Sequence, residues 1–213
     1  MIRPIYATRG PDAGVASEQA IDLVFAISGT RLPADYALAL WEALVARLPW
    51  LAGEPGVGVH AIRASAGEGG LLLSRRARLA LRLPLRRQAD AMRLTGQALE
   101  VGSERLDVGE ASPRPLEPYP TLSARFVATG AADALAHQEA VEAMLGELGM
   151  PLRFICGRMR TMRCGDTTVA GAEVVLHQLR PEQSLAMQER GLGAERHLGH
   201  GLFLPHKTIS DID

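Results

Sequence analysis

Lysine is almost absent from this sequence: of 23 basic residues, 22 are arginine and one is Lys207. Cysteine is nearly as scarce. Cys156 and Cys164, with seven residues between them, form neither a disulfide framework nor a C-x-x-C pair, and they read as reduced intracellular thiols. No run of 18 apolar residues occurs, which excludes a membrane-spanning helix. Met1-Ile2-Arg3-Pro4 carries no apolar stretch of the kind that opens a signal peptide, so a cytoplasmic protein is expected. H-E-x-x-H, carboxylates clustered at ligand spacing and G-x-x-x-x-G-K-[ST] are all missing. No metal, no cofactor and no nucleotide hydrolysis are expected.

What is present begins with a hydrophobic content of 47%, despite an aromatic share of only 4%. A chain of 213 residues with that content can bury one large core or two cores of about 100 residues each. The net charge of -1 hides a segregation. Eight arginines from Arg63 to Arg93 face only Glu68 and Asp90, and the four from Arg153 to Arg163 face no acid. A GC-rich genome explains the arginine bias as readily as a ligand does. It does not explain the clustering, which points to an anionic partner. Arginine suits phosphate because its planar fork binds two oxygens at once.

Hydrophobic period divides the chain into two similar runs. Ile21, Leu23, Phe25 and Ile27 alternate as in a strand, and from Asp35 the period becomes helical until Pro49. Strand-like runs follow at Gly56 to Arg63 and Leu71 to Leu83, the latter broken near Ser74. A short helix from Pro84 to Gly96 precedes strands at Ala98 to Val101 and Arg105 to Val108. The second run repeats this order: strand Thr121 to Val127, helix Ala131 to Gly149, strands Leu152 to Cys156 and Val169 to Leu179, helix Pro181 to Gly191, and a last strand from Leu202. Each run has the ferredoxin-like order. The expected fold is α+β: tandem ferredoxin-like halves over residues 1–111 and 121–213, joined by the proline-rich linker 112–120.

Two features carry candidate function. Arg76, Arg78 and Arg82 alternate with Ala77, Leu79 and Leu81, so they share one strand face with no acid among them. That face is either merely solvated or a cationic stripe for nucleic acid. The second feature is "GLGAERHLGHGLFLPHK", Gly191 to Lys207, lying between the last helix and the last strand. Gly191 can be a helix cap. Gly193, Gly199 and Gly201, with Arg196, His197 and His200, suggest a loop whose backbone N–H groups approach a phosphate.

The stretches "GVGVHAIR", "LLLSRRARLALRLP", "SARFVATGA", "ICGRMRTMR" and the glycine segment occur in that order from residue 20 onward. As a set they resemble the RAMP superfamily of CRISPR-associated RNA-binding proteins. More narrowly, they resemble its repeat-processing endoribonucleases, in the Myxan-type branch. The resemblance implies metal-independent cleavage of a CRISPR repeat in the precursor RNA, leaving a 5′-hydroxyl and a 2′,3′-cyclic phosphate. It also implies that the enzyme stays on its product and passes the guide RNA to effector-complex subunits, with no membrane and no direct DNA contact.

Such a reaction needs one group to take the 2′-hydroxyl proton and another to protonate the leaving 5′-oxygen, and histidine suits both. The family places a catalytic histidine after its first helix, which implies His60, the only histidine before His137. Some members add a tyrosine and a lysine. Tyr36 is the candidate tyrosine, and no lysine lies near His60. Arg63, Arg75 and Arg76 are candidates to stabilise the phosphorane, and His197 or His200 to supply the second proton-transfer group. RNA contacts are expected from these arginines together with Arg78, Arg82, Arg158, Arg160, Arg196 and Lys207, and from the glycine segment. Two rivals stand beside this reading. One is a RAMP subunit that binds guide RNA without cutting it. The other is a two-histidine phosphoesterase, which His206-Lys207-Thr208 suggests and the missing second H-x-T motif opposes.

Overall fold

Ile21, Leu23, Phe25 and Ile27 are all buried on one face of β1 (Ala20–Ser28), as their alternation requires. The computed structural model describes residues 19–164 and 167–206. Beyond β1, the first half comprises β2 (Arg31–Leu32), α1 (Tyr36–Arg47), β3 (Gly58–Val59), β4 (Ala64–Gly67), β5 (Gly70–Leu73), β6 (Arg78–Pro84), α2 (Gln88–Ala91), β7 (Ala98–Val101) and β8 (Glu104–Pro115). The second half comprises β9 (Thr121–Ala128), α3 (Ala134–Glu147), β10 (Arg153–Cys156), β11 (Arg160–Cys164), β12 (Thr167–His177), α4 (Pro181–Arg190) and β13 (Leu204–Pro205).

The main sheet of the first half runs β3-β6-β1-β8-β7, and that of the second runs β10-β12-β9-β13. Numbered within each half, both read 2-3-1-4, the ferredoxin-like order. β7 is an added edge strand in the first half, and β11 an added partner of β12 in the second. Each half has its own apolar cluster, one around Phe25, Leu44 and Leu81, the other around Val127, Val141 and Phe203. The helices lie where the 3.6-residue period places them. Asp133 caps α3 by accepting from the Ala136 N–H at 2.9 Å.

Three differences from the sequence expectation have local causes. The run from Gly56 to Arg63 is strand only at Gly58–Val59, and β4 instead joins β5 and β2 in a separate three-stranded sheet. The connection between Cys156 and Val169 contains β11, a polar strand paired to the far end of β12. Finally, β8 takes in the first four residues of the expected linker 112–120, with Pro113 opposite Leu23 and Pro115 opposite Ile21. β7 pairs only with Glu104 to Asp107, so this end of β8 has an open edge, where a missing N–H is tolerated.

Candidate active site

The two sheets meet across a groove of about 1050 Å³. From the first half it takes Asp22 on β1, His60, Arg63, Arg76 and Arg78, and from the second half Arg125 on β9. Arg63, Arg76, Arg78 and Arg125 are exposed there, while the second half also contributes Glu173 and the exposed His206. Arginine outweighs acid along the groove.

His60 follows β3, where its N–H donates to Ala80 O at 2.9 Å and holds the residue against β6. Its side chain is 11% exposed, open enough to meet a ligand in the groove. Nε2 lies 3.0 Å from Asp22 Oδ1. Asp22 stands opposite Arg82 in the β1–β6 register, and the guanidinium holds the carboxylate with both prongs: Nε to Oδ1 at 2.8 Å and Nη2 to Oδ2 at 2.9 Å. Burial pushes the Asp22 carboxyl upward, but the hydrogen bonds from His60 and Arg82 outweigh it and hold the group well below the usual carboxylate range.

Arg82 is not a free cation on an open face. The expected stripe is only partly formed: Arg76 sits in the turn before β6, Arg78 and Arg82 lie on the strand, and the second half covers Arg82, whose side chain is 0% exposed. Its Nη1 donates to Gln188 O at 2.9 Å and Phe203 O at 2.8 Å. No donor face is left for a phosphate, so the expectation of an RNA contact at Arg82 is corrected: it joins the halves.

The glycine segment is also not an open cradle. Gly191, Gly193, Gly199 and Gly201 all have positive φ, from 63° to 87°. The N–H groups of Gly191, Gly199 and Gly201 donate to Met187, Arg196 and Phe126 carbonyls, so they are not available to an anion. A Cβ on Gly201 would overlap the carbonyl of Leu192, and one on Gly58 would overlap Leu202. The glycines serve chain packing here: they let the segment fold tightly and dock against β3 and α1. Of the four, Gly199 alone lines the groove.

The cations of that segment are drawn inward too. Arg196 donates to Arg190 O at 2.8 Å, and burial lowers its pKa to about 10. The His197 ring lies 4.8 Å from that of Trp41, and its Nε2 pairs with Glu195 at 3.3 Å. His200 packs edge-on against Phe126 at 4.8 Å. Burial first, then His197 and Arg160, pull its pKa down to about 4. Neither His197 nor His200 lines the groove, so the expected second proton-transfer group is not found in either. Lys207 and Thr208 lie outside the described residues.

Tyr36 is placed differently from the expected catalytic partner. Its hydroxyl accepts from the Ile62 N–H at 2.7 Å, two residues beyond His60, and it is absent from the groove lining. Burial raises its pKa. It braces the segment that carries His60. Arg75 is exposed outside the groove lining, and so are Arg158 and Arg160 in the second half. Arg160 lies over Phe126, 5.5 Å from the ring centre, and donates to Arg125 O.

Arg114, near the end of β8, also lines the groove, and neither it nor Asp22 nor Arg125 was expected there from the sequence. Asp22 gave one signal, an acid inside an otherwise apolar strand. Arg114 lay hidden in what read as linker. Among the described residues no three His, Cys, Asp or Glu side chains converge to hold a metal ion, and no helix is long and apolar enough to cross a membrane.

Two ferredoxin-like halves facing each other across an arginine-lined groove define a protein of the RAMP class. Its fold aligns with the structure of a Cas6-related gene product from Pyrococcus furiosus, at TM-score 0.63 and 13% identity over 91% of this chain and 100% of that one. It aligns also with a RAMP protein described as binding different RNA substrates, at TM-score 0.61 and 12% identity over 86% and 98%. Residues 21–208 match the family described as Cas6 Crispr. A relative from Myxococcus xanthus (strain DK1622), the CRISPR-associated endonuclease Cas6, is 37% identical over 87% of this chain and 81% of its own length. The chain belongs to the Cas6 family of CRISPR-associated proteins.

Proposed function

We propose that this protein is an endoribonuclease that cuts CRISPR repeat RNA within the precursor transcript, with His60 moving a proton at the scissile phosphate. The observation that carries this reading is the position of His60, partly exposed in an arginine-lined groove and fixed by Asp22. The 2′-hydroxyl of the nucleotide before the cut attacks its own phosphorus. Its proton leaves to a base, the P–O5′ bond breaks, and the 5′-oxygen takes a proton. The products are a 2′,3′-cyclic phosphate and a 5′-hydroxyl. Arg63, Arg76 and Arg78 line the groove, which supports a role in holding the phosphates on either side and stabilising the charge that builds on the phosphorane. The chain would act in the cytoplasm, where its transcript is made, and hand the retained product to effector subunits.

The test is incubation with the repeat RNA of the same genome, with and without EDTA. A second arm carries a 2′-deoxy sugar before the cut. Cleavage should persist in EDTA and stop with the deoxy sugar, because the nucleophile is then missing. Cutting that tolerates the deoxy sugar overturns the mechanism. Tight binding without any cutting would instead favour a guide-binding subunit.

A further inference from the structure

Asp22 does more than neutralise a buried arginine. A carboxylate already held by both prongs of Arg82 has satisfied its ion pair, yet Oδ1 also meets His60 Nε2 at 3.0 Å. An ionised carboxylate only accepts hydrogen bonds, so Nε2 must carry the proton and the neutral ring keeps its lone pair on Nδ1. Arg82 in turn is fixed by the Gln188 and Phe203 carbonyls of the second half, so the carboxylate cannot rotate away. The His60 backbone is pinned separately, to Ala80 O. Among the described residues no other protein group hydrogen-bonds to the ring.

We infer that Asp22 is a positioning residue for His60: held by Arg82, it fixes the ring's orientation and its Nε2–H tautomer, and so makes Nδ1 the atom that exchanges a proton with the RNA. This inference rests on the assignment of His60 to proton transfer. It also makes Arg82 a mechanical link, since closing the second half onto the first is what clamps the carboxylate. The clamp would then ensure that His60 is set only when both halves are docked and the groove exists.

The experiment has two readouts. In ¹⁵N NMR of the imidazole nitrogens, wild-type protein should show the neutral His60 ring as the Nε2–H tautomer, and Asp22→Asn should show a mixture. In single-turnover cleavage with repeat RNA at saturation, Asp22→Asn should be slower by about 10-fold or more, the lower end of the scale on which a metal-binding histidine responds to loss of its orienting partner. RNA affinity should be unchanged. In a His60→Ala background the same substitution should cost nothing further, because residues acting as one unit are not additive. A fold defect would instead add to the His60→Ala loss.

Because the NMR readout on wild-type protein needs neither cleavage nor a stable variant, it decides the inference even if the enzyme does not cut or Asp22→Asn does not fold. An Nδ1–H tautomer in the wild type, or wild-type cleavage by a folded Asp22→Asn protein, overturns the inference. Absence of cleavage by the wild type bears on the proposed function alone.

Discussion

The guanidinium of Arg82, on a strand of the first half, donates to the carbonyl oxygen of Phe203 in the second half at 2.8 Å. This contact divides Arg76, Arg78 and Arg82, which the sequence pattern places on one face, into two kinds. Arg82→Met should destabilise the protein by about 3 kcal/mol or more, because it leaves Asp22 buried without its partner. It should leave the salt dependence of RNA binding unchanged. Arg76→Ala and Arg78→Ala should behave in the opposite way. Each lost phosphate contact should flatten the slope of log affinity against log salt by about 0.7 to 0.9, with thermal stability nearly constant. Denaturation and binding titrations at several salt concentrations separate the two. A flattened slope in Arg82→Met, or wild-type slopes in the other two, would sink the division.

The period of the apolar residues carried most of the fold, because each half buries one face of each main strand. Leu23 with Phe25, and Leu79 with Leu81, are fully buried in the pattern that alternation predicts. Elements without such a period escaped notice. β2 and β4 are two and four residues long, β4 ending on Gly67, while β11 has only Met162 among its polar residues to mark an apolar period. The site divided in the same way. His60 stood out as an isolated titratable residue, whereas the link between Asp22 and Arg82 depends on residues 60 apart in sequence and on cover from the other half. Alternation told which face Arg82 occupies. It could not tell that Gln188 and Phe203 would close over it.

Gly201 should resist any side chain. Its φ of 63° alone costs an L-residue about 1–2 kcal/mol, and a Cβ there would overlap the Leu192 carbonyl. Gly201→Ala should therefore lower the melting temperature and loosen the docking of the segment against β3. Any loss of RNA affinity should follow from that disorder. If Gly201→Ala melts like wild type yet binds RNA poorly, the segment is a phosphate cradle after all.

His200 should give the protein an acid-sensitive range. Its folded pKa of about 4 lies below its ordinary 6.5, because burial disfavours the charged ring. Between these values the unfolded chain binds more protons than the folded one, so stability rises with pH across that window. On acidification it should be lost progressively from about pH 6.5 toward pH 4. Asp22, also depressed, adds its own loss only below the ordinary carboxylate range. Melting temperatures of wild type and His200→Leu between pH 4 and 7 provide the check. The variant should show a flatter profile over that window, and parallel curves would remove His200 from the account.

Tyr36 and His60 should separate cleanly. His60→Ala should slow cleavage by ~10²-fold or more, the usual scale for losing general acid–base help, while RNA affinity holds. Tyr36→Phe removes only the hydroxyl that accepts from the Ile62 N–H. Leaving that donor without a partner should cost about 1–3 kcal/mol of stability. Cleavage should fall only modestly, because the backbone of His60 is still held through Ala80. The decisive measurement is single-turnover cleavage at saturating RNA, compared with the melting temperature of each variant. If Tyr36→Phe is as slow as His60→Ala while melting like the wild type, the hydroxyl is a proton-transfer group and its bond to Ile62 yields to the RNA when it binds. If the rate loss instead tracks the loss of stability, Tyr36 acts only as the brace that its position describes.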